Sequence, residues 1–467
     1  MTIPYQIQLD VDNSIQTLCW HQLNTKERPQ GHFEGIHLKG KPVGRFTRLL
    51  RAGHDGASAT ATYYVGAGLE ERNLVRASFF TGITGGILWY VLIYYWAARG
   101  FSSQEIGLMG GIGSSVGVIT YLFGGYLADV LGRKKLFLVG ILSTATGLLL
   151  FLTEKNITVF TVAYGLTSLG GSLQWPSLTT LLAAKASSAN MKYLYGIQGF
   201  VNQIGLTIAT FLGIFGPPFL ERTYGTALST GFVYVFLATA IFAFVPILFV
   251  YKVTETKKKP EKLSLHFDRR MRRILLMYCF QNALIGAGAG LVIPWFPVIF
   301  KQGLGASDNW VASIITLSNA VIAVGWFVVP KFADLKGSVT LIAVCQIASC
   351  VPMILIPYSP ALLIVALLYT SRSFLMLVPS PVLNAYMMNI CSEEIRASFL
   401  SLSQLAWQVA FAGSYAIAGY LWANNYSKVE PFFYAVAFYI VASLIFFAYF
   451  KGVKENEGAP TEKTAAG

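Results

Sequence analysis

Arg372 stands in the stretch LLYTSRSFLMLVPS, which carries no other charge. It lies about 11 residues from the start of its apolar run, roughly 17 Å at the rise of an α-helix. That depth is near the middle of a hydrocarbon layer about 30 Å thick. An arginine there costs about 2.5–3.5 kcal/mol on the insertion scale, so it is held by a partner or used by a ligand. The 22 acidic residues supply no partner at that depth, because they fall in the first 71 positions, in loops or at the ends of apolar runs. Two roles fit Arg372. As an unpaired cation in a cavity it draws an anion, bidentately through a carboxylate. As a structural group it bonds carbonyls freed near Pro379 and Pro381, or neighbouring amide side chains.

Uncharged polar residues occupy other apolar runs. They are Gln281 and Asn282, Asn202 four residues after Gln198, Gln408 four after Gln404, Asn319, Thr84, Tyr90, and Gln174 with Trp175. Each can bond a solute or an adjacent helix. Covalent chemistry needs a nucleophile with a base, paired aspartates or a metal cluster. With no His, Asp or Glu deep in an apolar run, an enzyme is not expected. No GxxxxGK[ST] loop is present, so ATP hydrolysis is not expected either. His21, His32, His37 and His54 fit no metal motif, and the five cysteines have no CxxC spacing. No cofactor and no metal is expected.

The elements that carry these residues follow from composition. The chain is 54% hydrophobic and 12% charged, against about 25% charged in a soluble domain. Twelve apolar runs are long enough to span a bilayer: roughly 77–98, 105–127, 136–153, 157–183, 194–216, 229–251, 271–300, 310–330, 338–358, 361–389, 397–422 and 431–450. In lipid only helices satisfy such backbones within one segment. The expected fold is an all-α membrane protein with twelve transmembrane helices in two six-helix bundles. Of the cations between and after the runs, 20 fall on one side and 5 on the other. The positive-inside rule then puts both termini in the cytoplasm of a cell-membrane protein. The net charge of +13 is largely this topology signal and implies no nucleic acid.

The expected organisation is a tail over 1–72, a bundle over 73–252, a basic connection over 253–270, a second bundle over 271–455 and a tail over 456–467. The first tail reads as disordered, or as the product of a misplaced start with the natural one nearer Val65 or Val75. The connection reads as a solvated linker, with lipid headgroup binding as its alternative. The halves repeat. A shift of 205 places Gly100 on Gly305, Ser102 on Ser307, Asp129 on Asp334 and Gly132 on Gly337. Such a repeat fits two parallel halves related by an axis along the membrane normal. Gly107/Gly111, Gly113/Gly117 and Gly286/Gly290 are spaced for close helix packing.

The segment GGYLADVLGRKK, 124–135, resembles the signature between the second and third helices of the major facilitator superfamily. Gly125, Leu127, Ala128, Asp129, Gly132, Arg133, Lys134 and Lys135 match it, and Val130 replaces its usual cation. The second copy, PKFADLKGS, keeps Asp334 and is degenerate. The resemblance covers about 73–455. It implies a monomeric secondary transporter that rocks two bundles about a midplane site. It also implies that Gly125, Asp129, Gly132, Arg133, Lys134 and Asp334 form a conformational latch, and it points the polar residues above toward the central cavity. The expected partners are a small-molecule solute and the lipid bilayer, with room for a coupling ion such as H+. The GPP of drug exporters sits inside the fifth helix, whereas here it lies at that helix's end, 216–218. That position weakens a drug-exporter reading, and the unpaired depth of Arg372 makes the expected solute an organic anion with Arg372 as counter-ion. A drug or a sugar, or sensing without transport, is the alternative.

Overall fold

The computed structural model describes residues 67–185, 191–255, 268–328, 337–391 and 393–453. The expected N-terminal tail to residue 66, most of the 253–270 connection, Asp334 and the chain from 454 onward lie outside the described residues. So do the side chains at 124–126 and 128–130, which include Gly125 and Asp129. The described residues are helical and contain no strand.

The first half holds α1 Leu69–Ala98, α2 Ser103–Leu131, α3 Arg133–Leu150, α4 Ile157–Ala183, α5 Met191–Tyr224 and α6 Leu228–Val250. The second holds α7 Arg269–Gly303, α8 Asp308–Val328, α9 Ser338–Tyr358, α10 in two pieces, Leu362–Leu377 and Ser380–Ile390, α11 Glu393–Trp422 and α12 Glu430–Phe450. Eight of these are long and apolar enough to cross a membrane by length and composition. Helix α3 is not among them, since Arg133, Lys134 and Lys135 occupy its first turn. Proline accounts for two breaks. Pro294 sits in a 3₁₀ turn within α7, and Pro379 precedes the second piece of α10. Pro176 stays inside an unbroken α4.

The repeat is present in packing as well as in sequence. In the first half α1 packs on α5 and α6, α2 on α4, and α3 on α4 and α6. Adding six to each number gives the second half: α7 on α11 and α12, α8 on α10, α9 on α10 and α12. The two main cross-half pairs, α2 with α11 and α5 with α8, exchange under the same operation. The backbone repeats too: Gly100 and Gly305 have φ of 76° and 66°, and Gly132 and Gly337 have 90° and 80°. A left-handed φ excludes most side chains, so glycine at these turns is a requirement of the chain path.

Small residues let the halves approach. A Cβ on Gly107 of α2 would lie 2.7 Å from the Cα of Gly419 on α11, and Gly111 faces Ala416 and Ala412 of the same helix. Gly286 and Gly290 of α7 lie against the α11 backbone, whereas Gly113 meets the Tyr164 ring of α4. Of the spaced glycine pairs, Gly117 departs from tight packing; its nearest neighbour is Gln408 Nε2, 3.5 Å away.

Candidate solute cavity

Helices α1, α2, α4 and α5, with Thr144 of α3 and Gln408 and Phe411 of α11, enclose a cavity of about 430 Å³. Its wall follows helical periodicity. Thr81, Thr84, Gly85 and Leu88 present one face of α1, and Tyr164, Thr167, Ser168, Gly171, Ser172 and Trp175 one face of α4. Residues Ile87–Val91 of α1 form a π turn, a loosened stretch of ladder that is often found at functional sites. From this turn Trp89 lines the cavity and packs against Phe411, with ring centres 6.0 Å apart.

Five of the ten expected solute contacts lie on this wall: Thr84, Gln174, Trp175, Asn202 and Gln408. Two are braced from behind. Gln174 Nε2 donates to Gly140 O at 2.9 Å and to Thr144 Oγ1 at 2.7 Å. Asn202 Nδ2 donates to Ser78 O at 2.9 Å and to Thr81 Oγ1 at 3.2 Å. The other five lie elsewhere. The Tyr90 hydroxyl donates to Asn319 Oδ1 of α8 at 3.3 Å, a bond between the halves. Asn282 is half-buried on α7 and lies outside the wall. Gln281 is buried, with its Oε1 lacking a partner.

Arg372 is 4% exposed and is absent from the cavity wall. Its Nη2 donates to the Tyr439 hydroxyl of α12 at 3.1 Å, and its Nε has no partner among the described residues. Its guanidinium carbon lies 5.8 Å from the centre of the Tyr439 ring. The carbonyls near Pro379 and Pro381 are not among its partners.

Of the expected latch, Gly132, Arg133 and Lys134 are described. Their partner is one that sequence reasoning missed, Glu255, just beyond α6. Its carboxylate accepts from the backbone N–H of Arg133 at 2.6 Å and of Lys134 at 3.3 Å, capping α3. Lys134 Nζ donates to the carbonyls of Tyr251 and Val253 at 2.7 and 3.1 Å. Nearby, Glu70 pairs with Lys185 at 2.7 Å and accepts from Thr254 N at 2.8 Å. These bonds all stay within the first half.

Contacts between the halves lie toward the opposite helix ends, called the far side below. Asp308, at the start of α8, accepts a bond from the Tyr94 hydroxyl of α1. It also pairs with Lys301 at 2.7 Å and with Arg222 at 3.4 Å. Ser103 and Asn424 clasp each other: Ser103 N donates to Asn424 Oδ1 at 2.7 Å, and Asn424 N donates to Ser103 Oγ at 2.8 Å. Gly117 with Gln408, Gly111 with Ala416 and Gly107 with Gly419 complete a seam from mid-helix to the far ends. The far side is closed, while the cavity wall runs from mid-helix toward the end of α4 that holds Leu178. Asp308 was missed because it sits at a helix start, where an acid usually does no more than favour the helix dipole.

The family model described as Major Facilitator Superfamily matches residues 74–415. An uncharacterized MFS-type transporter, YqjV of Bacillus subtilis (strain 168), is 29% identical over 27% of this chain and 31% of its own length. A voltage-gated purine nucleotide uniporter of Rattus norvegicus is 23% identical over 42% of this chain and 46% of its own. The chain thus spans a third to a half of the curated relatives it matches. A crystal structure of the nucleoside transporter NupG superposes with a TM-score of 0.62 at 14% identity, covering 82% of this chain and 99% of that one. This last likeness concerns the fold alone.

Proposed function

Because this chain belongs to the Major Facilitator Superfamily, we infer that it is a secondary transporter that moves a small organic solute by alternating access. The observation that carries this is the pairing of a polar, aromatic-lined cavity with a seam that closes the far side. Such a seam is one of the two arrangements a rocking pair of bundles needs. The excess of cations on the terminal side supports cytoplasmic termini. On that reading the far side faces outward and this conformation is inward-facing.

Two places in the structure support different solute charges. An organic anion with Arg372 as counter-ion is supported by the buried, unpartnered Nε. The rat relative's printed solute, a purine nucleotide, is also an anion. An uncharged solute is supported by the cavity wall, which among the described residues includes no Asp, Glu, Lys, Arg or His. Either fits a monomer in a cell membrane, with or without coupling to H+.

The test is a thermal-shift screen of purified protein against anionic, neutral and cationic metabolites, followed by counterflow of each hit in proteoliposomes. At 100 times its dissociation constant a ligand stabilises by about 2.7 kcal/mol. Transport predicts that at least one stabilising solute exchanges across the vesicle. A hit that binds and never exchanges makes the chain a sensor.

A further inference from the structure

The cavity wall has a hydrogen-bonding polarity that its residue types alone do not reveal. Thr81 Oγ1 donates to Ser78 O at 3.0 Å, Thr84 Oγ1 to Thr81 O at 2.9 Å, Thr167 Oγ1 to Tyr164 O at 2.9 Å and Ser172 Oγ to Leu169 O at 2.9 Å. Each of these four hydroxyls commits its one proton to its own helix. Gln174 and Asn202 likewise commit both amide protons of their side chains to protein acceptors. What these six side chains can offer a ligand is oxygen lone pairs. These lone pairs stand beside donors on the same lining: the hydroxyl of Ser168, the side-chain amides of Gln203 and Gln408, and the indole N–H groups of Trp89 and Trp175. Around it stand the rings of Trp89, Tyr121, Tyr164, Trp175 and Phe411, large apolar surfaces against which the C–H groups of a ligand can pack.

A carboxylate or phosphate brings only acceptors to such a wall. It would give up its hydration at a lining whose described residues include no cation to offset that cost, and unmatched polar groups are how sites reject ligands. Arg372 does not supply that cation within the cavity, since it is absent from the wall and bonded to α12. A hydroxyl group brings both a donor for the lone pairs and an acceptor for the N–H and O–H groups. A ring that carries hydroxyls around its edge and C–H groups on its faces would meet both kinds of polar group and the aromatic rings.

We propose that the cavity takes a polyhydroxylated ring without negative charge. This deepens the transport reading and rests on it. The residues that select the solute are Thr84 and Ser172, through their lone pairs, with Gln174 and Asn202 beside them. The closest runner-up, an anionic ring held by Arg372, is the main alternative in the test.

The experiment uses the full chain in detergent and reads thermal shift and dissociation constants. The probes are matched sets on one ring: myo-inositol, an aminocyclitol and quinate, then pyranoses and ribosides each beside its carboxylate or phosphate. The variants are Thr84→Val and Ser172→Ala, which remove an acceptor with little change of shape, and Arg372→Gln. Members without negative charge should stabilise the parent. Their affinity should fall about fivefold in each acceptor variant, the loss of one hydrogen bond, and stay level in Arg372→Gln. Three results overturn the proposal: only carboxylates or phosphates bind, no uncharged ring binds, or uncharged rings bind with no response to Thr84→Val and Ser172→Ala. A polyol that binds through Thr84 and Ser172 and never exchanges across proteoliposomes overturns transport instead, and leaves the class of ligand standing.

Discussion

At the scale of single residues, Arg372 and Asp308 show how a buried charge is placed. Among the described residues Arg372 has one hydrogen bond, to Tyr439. Tyr439→Phe leaves a buried guanidinium nitrogen without its partner and should cost about 1–3 kcal/mol, read as a lower melting temperature. An unchanged melting temperature would show that the bond contributes nothing to the fold. Asp308 joins Tyr94 and Arg222 of the first half to Lys301 of its own. Asp308→Asn should shift the population toward a far-open form, seen as longer distances between spin labels across the far ends. A distribution identical to the parent's would remove Asp308 from the closure. The depth of Arg372 was legible because one cation in an apolar run can be located by counting residues. Its partner was not, because nothing in a sequence says which tyrosine of α12 comes within 3.1 Å. The wall positions of Thr84, Gln174, Trp175, Asn202 and Gln408 were legible as polar breaks in apolar faces. Trp89 and Phe411 were not, since an aromatic residue in an apolar helix looks the same whether it faces lipid, a neighbour or a cavity.

At the scale of elements, the glycines sort by what they let approach. Gly205 of α5 lies against the backbone of Phe79 on α1, inside the first half. Gly205→Leu should therefore damage the fold, read as loss of the monodisperse peak on size exclusion. Gly107 lies against Gly419 across the halves. Gly107→Leu should leave a folded protein that cannot close its far side, read as solvent access to a cysteine placed near Gly110. If both variants fail alike on size exclusion, the distinction between fold and seam is wrong. Gly132 and Gly337, at φ of 90° and 80° with ψ of 143° and 137°, should each cost about 1–3 kcal/mol on replacement by alanine, read as a lower melting temperature. Eight of the twelve expected spans were legible from hydropathy and the third-helix turns from the 205-residue shift. The π turn at Ile87–Val91 was not, because the i to i+5 register is set by what packs around the helix rather than by the five residues in it.

At the scale of the whole molecule, the two-fold relation between halves gives alternating access its economy: one set of pairings, used twice, allows two mirror arrangements of a single site. The arrangement in hand closes by the clasp of Ser103 with Asn424. Ser103→Cys paired with Asn424→Cys should form an oxidative cross-link that stops exchange and restores it on reduction. Continued exchange in the cross-linked protein would mean that the far side need not open. This pairing of halves was expected from the repeat. Which face would be closed was not, since both closures use the same helices and differ by a small energy.

The seam has a consequence for the surroundings in which the protein can work. Most of its contacts are neutral: glycine against glycine, serine against asparagine, tyrosine against asparagine. Its charged part is one aspartate, 9% exposed, whose most open partner is Arg222 at 59%. Raising ionic strength to about 1 M shortens the screening length to about 3 Å, which weakens that exposed arm, a pair worth about 0–1 kcal/mol, and leaves the neutral contacts alone. The balance between open and closed forms should therefore change little between dilute and briny media, so this gate does not depend on holding the salt around it constant.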